Sequence, residues 1–295
     1  MNFYVTPYHS NLIKDKDRIS AFYEGIVDFF NDNKNDIAIK DSKNNALHPI
    51  NLKTAFDIGC GSGILSYFLS EYFDSIIAID IDSKIIDCAK KSFKEFGIEN
   101  VTFINEDALT FDFNESADLI ICEMLDTALI DEEEVLAIKN VKKYLNDNGK
   151  IIPQGVINIA EPISMERDYI HYEDEEFHGK KPKYKVLGKA VKFSEFDFLD
   201  EIEEKFKTII TFNIEDLYLG DICLDNICLD NIFNGIKITT FTKINENIIC
   251  GPTPMFNPPL FIPINIQKKI NCKKISVELE YIMGGGVETI KTNII

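Results

Sequence analysis

Residues Thr54 to Phe73, TAFDIGCGSGILSYFLSEYF, constrain the fold more than any other stretch of this chain. Ala55, Phe56 and Ile58 form a short apolar run that stops at Gly59-Cys60-Gly61-Ser62-Gly63. Ile64, Leu65, Phe68, Leu69 and Tyr72 then recur at helical spacing. The pattern predicts a strand, a glycine turn and a helix, the first half of a βαβ unit. Glycines let the chain turn sharply and let a ligand approach the backbone. The amides that open the helix at Ile64 face such a ligand.

A dinucleotide site would place a third glycine at position 64, which is Ile; the spacing here is G-x-G-x-G. The next apolar run, Ile76-Ile77-Ala78-Ile79, ends in Asp80, about 20 residues after Gly59, where an acid can accept both ribose hydroxyls. A third run, Val101-Phe103-Ile104, leads into Asn105-Glu106-Asp107-Ala108. Together these resemble motif I and the following acidic positions of class I S-adenosylmethionine (SAM) methyltransferases. The resemblance implies SAM as cofactor, with Asp57, Gly59, Gly61, Gly63, Asp80, Asp107 and Ala108 around it. A structural βα turn in an unrelated α/β protein is the other reading. Asp107 reads either as a partner of the adenine amino group or as a turn and cap residue.

Strands ending near Ile58, Ile79, Ile104 and Ile121, another at Lys150–Ile152, and helices over 64–72, 83–96 and 132–145 predict a parallel sheet covered on both faces. Ligands on such sheets sit at the carboxyl ends of the strands, where Asp57, Gly59, Asp80, Asp107 and Glu123 all fall.

Ahead of this unit, Tyr8 to Arg18 opens a helix whose apolar face continues through Ile19, Phe22, Ile26, Phe29 and Phe30. Asn31–Asn45 is polar and reads as a loop. The segment resembles the N-terminal helix of the protein arginine methyltransferases: His9, Ile13, Lys14-Asp15 and Arg18 keep that family's order and spacing. There the helix covers the cofactor and its Arg pairs with the SAM carboxylate, which implies cofactor contacts for His9, Ile13 and Arg18. An ordinary amphipathic helix with solvated charges is the alternative.

After the fourth strand come Glu123 and Glu132, spaced like the paired glutamates that grip a guanidinium in the arginine family. Two ionised carboxylates on one loop are costly to bury without a cation, so they suit an acceptor bearing an amine or guanidinium. Glu132 also reads as part of an acidic first helical turn, Asp131-Glu132-Glu133-Glu134. Base-amine methylases carry N-P-P-Y or D-P-P-Y after this strand; the only such triplet, Asn257-Pro258-Pro259, lies far downstream and is followed by Leu260. It reads as a proline-rich loop.

Ile151-Ile152-Pro153 resembles the junction to the arginine family's β-barrel. Beyond it, β-rich runs at 156–160, 208–214, 236–244, 260–266 and 275–282 predict a mainly antiparallel domain. The expected organisation is a cofactor-covering helix over 1–48, a Rossmann-like SAM domain over 49–152, and a barrel-like substrate and dimerisation domain over 153–295. His171 and His178 read as part of a solvated acidic loop or as metal ligands; no metal is expected. Ile222 to Ile232 repeats a five-residue unit once, too few copies for a solenoid. The arginine family's Thr-His-Trp loop has no counterpart, since the chain contains no Trp and Gly251 to Phe261 contains no His.

A net charge of −18 disfavours unassisted binding to polyanions, while Lys180–Lys192 is the one local feature that favours RNA. Archaeal predicted RNA methylases are also similar around Cys122-Glu123-Met124-Leu125-Asp126-Thr127. Seven scattered cysteines without a C-x-x-C pair fit a reducing compartment, and no apolar run is long enough to span a membrane. The expectation is a cytoplasmic SAM-dependent methyltransferase acting on a nitrogen acceptor of a protein. An RNA, a small molecule and a non-catalytic scaffold role are the alternatives, and a homodimer is implied by the resemblance alone.

Overall fold

The computed structural model describes residues 2–40, 54–173, 181–214, 223–224, 227–228, 233–253, 255–265 and 274–295. The Thr6 side chain accepts the His9 amide and Pro7 takes the first helical position, starting α1 (Pro7–Lys14). Asp15 ends it. Its carboxylate accepts the Arg18 amide at 3.3 Å near the start of α2 (Lys16–Lys40). The single helix predicted from Tyr8 is therefore two, because a side chain that caps a new helix competes with the old one's ladder. α2 also takes in 31–40, part of the predicted loop, since that polar run holds neither Gly nor Pro to stop it. Positions 41–45 lie outside the described residues. Phe22, Ile26 and Phe29 form the buried face of α2.

Next in order come β1 (Thr54–Ile58), α3 (Ile64–Leu69), β2 (Ser75–Asp80), α4 (Ser83–Phe96), β3 (Val101–Asn105), β4 (Ala117–Cys122), α5 (Glu134–Val141) and β5 (Leu145–Ile152). The strands make one parallel sheet in the order β3-β2-β1-β4-β5. Every residue of β1 is buried, as a strand covered on both faces requires. α5 is shorter than the predicted 132–145: it begins at Glu134 and gives way to a 3-10 turn at Lys142–Tyr144, leaving Glu132 in the loop. β5 is longer than predicted and starts at Leu145.

Register decides where the strand tips lie. Ile58 pairs with Ile79 on one side and Cys122 on the other, and Ile79 pairs with Ile104. The residues that follow, Gly59, Asp80, Asn105 and Glu123, therefore form one row along the carboxyl edge. The order reverses at β1, so this row spans the switch point where such sheets bind ligands.

The rest of the chain is antiparallel: β6 (Gly155–Met165), β7 (His171–Tyr172), β8 (Tyr184–Val186), β9 (Val191–Asp197), β10 (Lys205–Asn213), β11 (Cys223–Leu224), β12 (Ile227–Cys228), β13 (Gly235–Lys243), β14 (Ile249–Cys250), β15 (Leu260–Pro263), β16 (Lys274–Ile282) and β17 (Lys291–Ile294). One sheet runs β7-β15-β13-β6-β8 with β9 and β14 alongside, and another β10-β16-β17. The five β-rich runs read from the sequence fall on β6, β10, β13, β15 and β16. In the repeat, Cys223 and Leu224 of β11 stand opposite Cys228 and Ile227 of β12; its other residues lie outside the described set. One apolar cluster joins the two halves, from Phe56 and Ile120 to Val156, Ile238 and Leu279.

His171 is not in a solvated loop. It is buried in β7, its ring stacked on Phe261 at 5.0 Å and its Nδ1 2.8 Å from the Tyr169 carbonyl oxygen. His178 lies outside the described residues, among which no cluster of His, Cys, Asp or Glu is placed to hold a metal. No helix among them is long and apolar enough to cross a membrane.

Candidate active site

The row of strand tips opens on a cavity of about 270 Å³, roofed by α1 and the start of α2. Gly59, Gly61 and Gly63 all adopt positive φ, at 67°, 51° and 78°. A Cβ at Gly59 would come within 2.7 Å of Met124 Cγ, and one at Gly61 within 3.1 Å of the His9 ring. Glycine is thus needed on both counts, backbone conformation and closeness of the cover. The Gly61 amide donates to Asp80 Oδ2 at 2.8 Å and the Asp82 amide to Oδ1 at 2.9 Å, so the carboxylate at the tip of β2 is held at the cavity rim.

Most of the residues singled out from the sequence meet here. His9, Arg18, Gly59, Gly61 and Asp80 line the cavity, as do Asp107, Ala108, Glu123 and Glu132. Three do not. Ile13 lies on the half-buried side of α1, and Leu12 takes the wall position. Gly63 precedes α3, and a Cβ there would strike Phe93 at 2.9 Å, so its smallness serves helix packing. Asp57 is buried beneath the wall, where it accepts a hydrogen bond from the Ser66 hydroxyl; burial pushes its carboxyl up to about 7. Asp107 combines both of its readings: it lines the cavity, and its Oδ1 accepts the Leu109 amide at 2.9 Å.

Arg18 is 4% exposed and donates from Nη2 to Glu123 Oε2. Burial works against the guanidinium charge, yet the Glu123 carboxylate raises its pKa above the ordinary value. Phe22 and Phe256 flank it, with ring centroids 5.9 and 6.0 Å from Cζ. Its buried Nε–H meets no acceptor among the described residues. The His9 ring is held by the Thr6 hydroxyl at 2.7 Å, and burial lowers its pKa, so it stays neutral at pH 7.

Glu132 sits at the mouth. Partial burial raises its carboxyl pKa, followed by the charges of Glu123, Asp131 and Glu133. Tyr8, 60% exposed on α1, faces the same pair: its phenol is pushed up by burial, then by Glu132 and Glu123.

The loop between the two glutamates is clamped from within. Asp126 accepts the amides of Ile130, Asp131 and Glu132 at 3.1, 2.9 and 3.2 Å, and burial still pushes it up to about 7. Ala128 and Leu129 are held at φ 60° and 61°, a left-handed conformation that non-glycine residues adopt at a cost. The antiparallel sheets hold them there. Thr240 Oγ1 accepts the Ala128 amide at 2.7 Å, the Gly284 and Gly286 amides donate to the carbonyls of Leu129 and Ile130, and Tyr172 donates to Asp131. The proline-rich loop takes part as well, its Pro258 carbonyl accepting the Thr127 hydroxyl at 2.7 Å.

Five residues of this site escape a sequence reading: Tyr8, Met124, Asp126, Glu134 and Met255. Glu134 stands in the first turn of α5, as the acidic run Asp131 to Glu134 suggests, yet it is fully buried. A signal existed, for it heads the stripe Glu134, Ile138, Val141 that α5 turns inward. Met255 reaches the cavity from the loop before β15.

A methyltransferase-domain family model matches residues 55–149, the parallel sheet. An uncharacterized protein of Methanothermobacter thermautotrophicus is 38% identical over 295 residues, covering 100% of both chains. One of Methanocaldococcus jannaschii is 30% identical, covering 98% of this chain and 97% of its own. A ribosomal protein L11 methyltransferase of Caldanaerobacter subterraneus is 33% identical over 103 residues, 35% of this chain and 31% of its own. Among solved structures, the Trypanosoma brucei PRMT1 enzyme-prozyme complex with AdoHcy superposes with a TM-score of 0.66 at 14% identity, covering 98% of this chain and 96% of that one; the fold is shared. The donor and acceptor set suits SAM: the Asp80 and Asp107 carboxylates line the cavity beside the glycine turn, and the buried Arg18 Nε–H has no acceptor among the described residues. Conserved in length with its archaeal relatives and carrying the methyltransferase domain at its parallel sheet, the chain belongs to their family, one of class I SAM-dependent methyltransferases.

Proposed function

We propose that the enzyme methylates a nitrogen atom of a protein side chain, an amine or guanidinium, presented to Glu123 and Glu132. The observation that carries this reading is that both carboxylates line the cavity of the glycine turn, where Glu132 and Tyr8 already feel an excess of negative charge. Such a field favours a cationic acceptor. Partial similarity to ribosomal protein L11 methyltransferases supports a protein as the carrier of that nitrogen.

SAM, when bound, supplies a methyl group already activated by its sulfonium. The protein's part is alignment and exclusion of water. Asp80 would hold the ribose and Asp107 the adenine amino group, while Gly59 and Gly61 would let the amino-acid portion approach the backbone. Arg18 would hold the cofactor carboxylate through the edge that Glu123 leaves free. His9 closes the cover over Gly61. Glu123 accepts a hydrogen bond from the acceptor nitrogen, takes the proton that a cationic acceptor must shed for its lone pair to form the new N–CH3 bond, and offsets the positive charge that develops on it.

RNA is the second reading, supported by Lys180–Lys192 and by the similarity to archaeal predicted RNA methylases around Cys122 to Thr127. Within that run Lys192 is paired with Glu195 at 2.8 Å, so this lysine is locally neutralised. The test is incubation of fractionated lysate with tritiated SAM and the enzyme, followed by protease or ribonuclease. Label that protease releases supports the proposal. Label that ribonuclease releases overturns it in favour of RNA.

A further inference from the structure

Glu134 stands directly behind Glu123. Its Oε2 accepts the Met124 amide at 2.9 Å across the loop, while Oε1 is buried and meets no N–H or O–H donor among the described residues. Met124 follows Glu123 in sequence, and its side chain lies against the glycine turn, where a Cβ on Gly59 would touch it. One hydrogen bond from the head of α5 therefore fixes the peptide between the acceptor-side carboxylate and the cofactor-side wall.

We infer that Glu134 is a positioning residue for methyl transfer, holding the Met124 peptide so that Glu123 points into the cavity. The inference rests on the role proposed above for Glu123. A buried carboxyl is a costly way to pack the head of a helix, and an apolar side chain of similar volume would fill the space. What such a side chain lacks is an acceptor for the Met124 N–H. The titratable groups around Glu134 are the Cys122 thiol of β4, Glu123 at its tip, and Glu132 on its own loop. All three carry negative charge when ionised, and burial pushes the Glu134 carboxyl up to about 8. The bond is thus made by a neutral acid at pH 7. Ionisation above pH 8 would set a third charge against Glu123 and Glu132 and disturb the peptide it holds.

The test compares Glu134→Gln, Glu134→Leu and Glu123→Gln in the full chain. Calorimetry reads SAM affinity, thermal unfolding reads stability, and tritium transfer into the lysate protein fraction, at saturating SAM and several pH values, reads the reaction. Glu134→Leu is expected to lose transfer by about tenfold or more while SAM affinity stays within about fivefold and the fold is retained, with only a modest loss of thermal stability from the unpaired Met124 N–H. Glu134→Gln, which keeps an acceptor oxygen and cannot ionise, should transfer at near wild-type rate at pH 7 and lose the decline above pH 8. Undiminished transfer by Glu134→Leu overturns the inference. So does parallel loss of SAM binding, stability and transfer in both Glu134 variants, which would mark a purely structural group. If Glu123→Gln transfers normally, the acceptor role of Glu123 fails, and the purpose assigned to Glu134 fails with it. Loss of transfer in Glu123→Gln with none in the Glu134 variants sinks the inference alone.

Discussion

The Thr253 hydroxyl donates to the Asp15 carboxylate, joining the loop before β15 to the break between α1 and α2. The Met255 amide donates to the same oxygen at 3.2 Å, while the other oxygen of Asp15 accepts the Arg18 amide. One carboxylate therefore ties the antiparallel half to the cover and to the arginine under it. Thr253→Val keeps the shape and removes the hydroxyl. It is expected to weaken SAM binding about threefold to tenfold, through a looser cover, with circular dichroism unchanged. Wild-type affinity by calorimetry would detach this contact from cofactor binding.

Asp80 is the second test. Its two oxygens already accept the Gly61 and Asp82 amides, so the side chain shapes the glycine turn and lines the cavity where the ribose is proposed to lie. Asp80→Ala should abolish measurable SAM binding, and Asp80→Asn should weaken it about tenfold or more, since charge-assisted bonds are roughly twice as strong as neutral ones. An Ala variant that binds SAM as tightly as wild type would mean that the cofactor lies elsewhere.

Removing one member of the Arg18–Glu123 pair strands the other in a sheltered place. Arg18→Ala is expected to destabilise the fold by about 3 kcal/mol or more, because Glu123 would be left without its cation. Arg18→Ala combined with Glu123→Gln should recover part of that loss. Urea unfolding of both variants measures the difference, and a single variant no less stable than the double one would contradict a sheltered pair.

Stability should fall as pH rises. Asp57 and Asp126 are pushed up to about 7 and Glu134 to about 8, each first by burial. The unfolded chain releases these protons near the ordinary carboxylate values, around pH 4, whereas the folded chain keeps them. Between about pH 4 and 8 the unfolded state therefore binds fewer protons, and the unfolding free energy declines across that window. Glu195, Glu201 and Glu278 are shifted the opposite way by lysine partners, but their surface ion pairs are screened by water and act below pH 5. Urea midpoints at pH 5.5 and 8.5 should differ in favour of the lower pH. Equal midpoints, or the reverse order, would place these carboxyls in wetter surroundings.

What could be read beforehand follows period and register. Strands of buried β-branched residues, each ending in a glycine or an acid, level their tips once they pair in parallel, so Gly59, Asp80 and Glu123 were bound to meet. Gly63 shows the limit: its neighbours Phe93 and Phe103 come from other elements, and only packing reveals that its smallness serves them. The acids at 126 and 134 were opaque for a related reason. A carboxylate in a polar run looks solvated until the loop folds around it and turns it inward, and the contacts that do so reach across from β13, β7 and the segment after β16. Asp15 combined both problems, with a local cap that splits a helix and a distant partner that needs it split.

The bond between Asp15 and Thr253 spans 238 positions. At a synthesis rate of roughly 5–20 residues per second, the two partners come into existence roughly 12 to 48 s apart. During that interval the parallel sheet can form on the ribosome, while the cover above it still lacks its anchor. The cover thus gains this anchor only after the second half of the chain has been made, so its final seating over the cavity waits on translation.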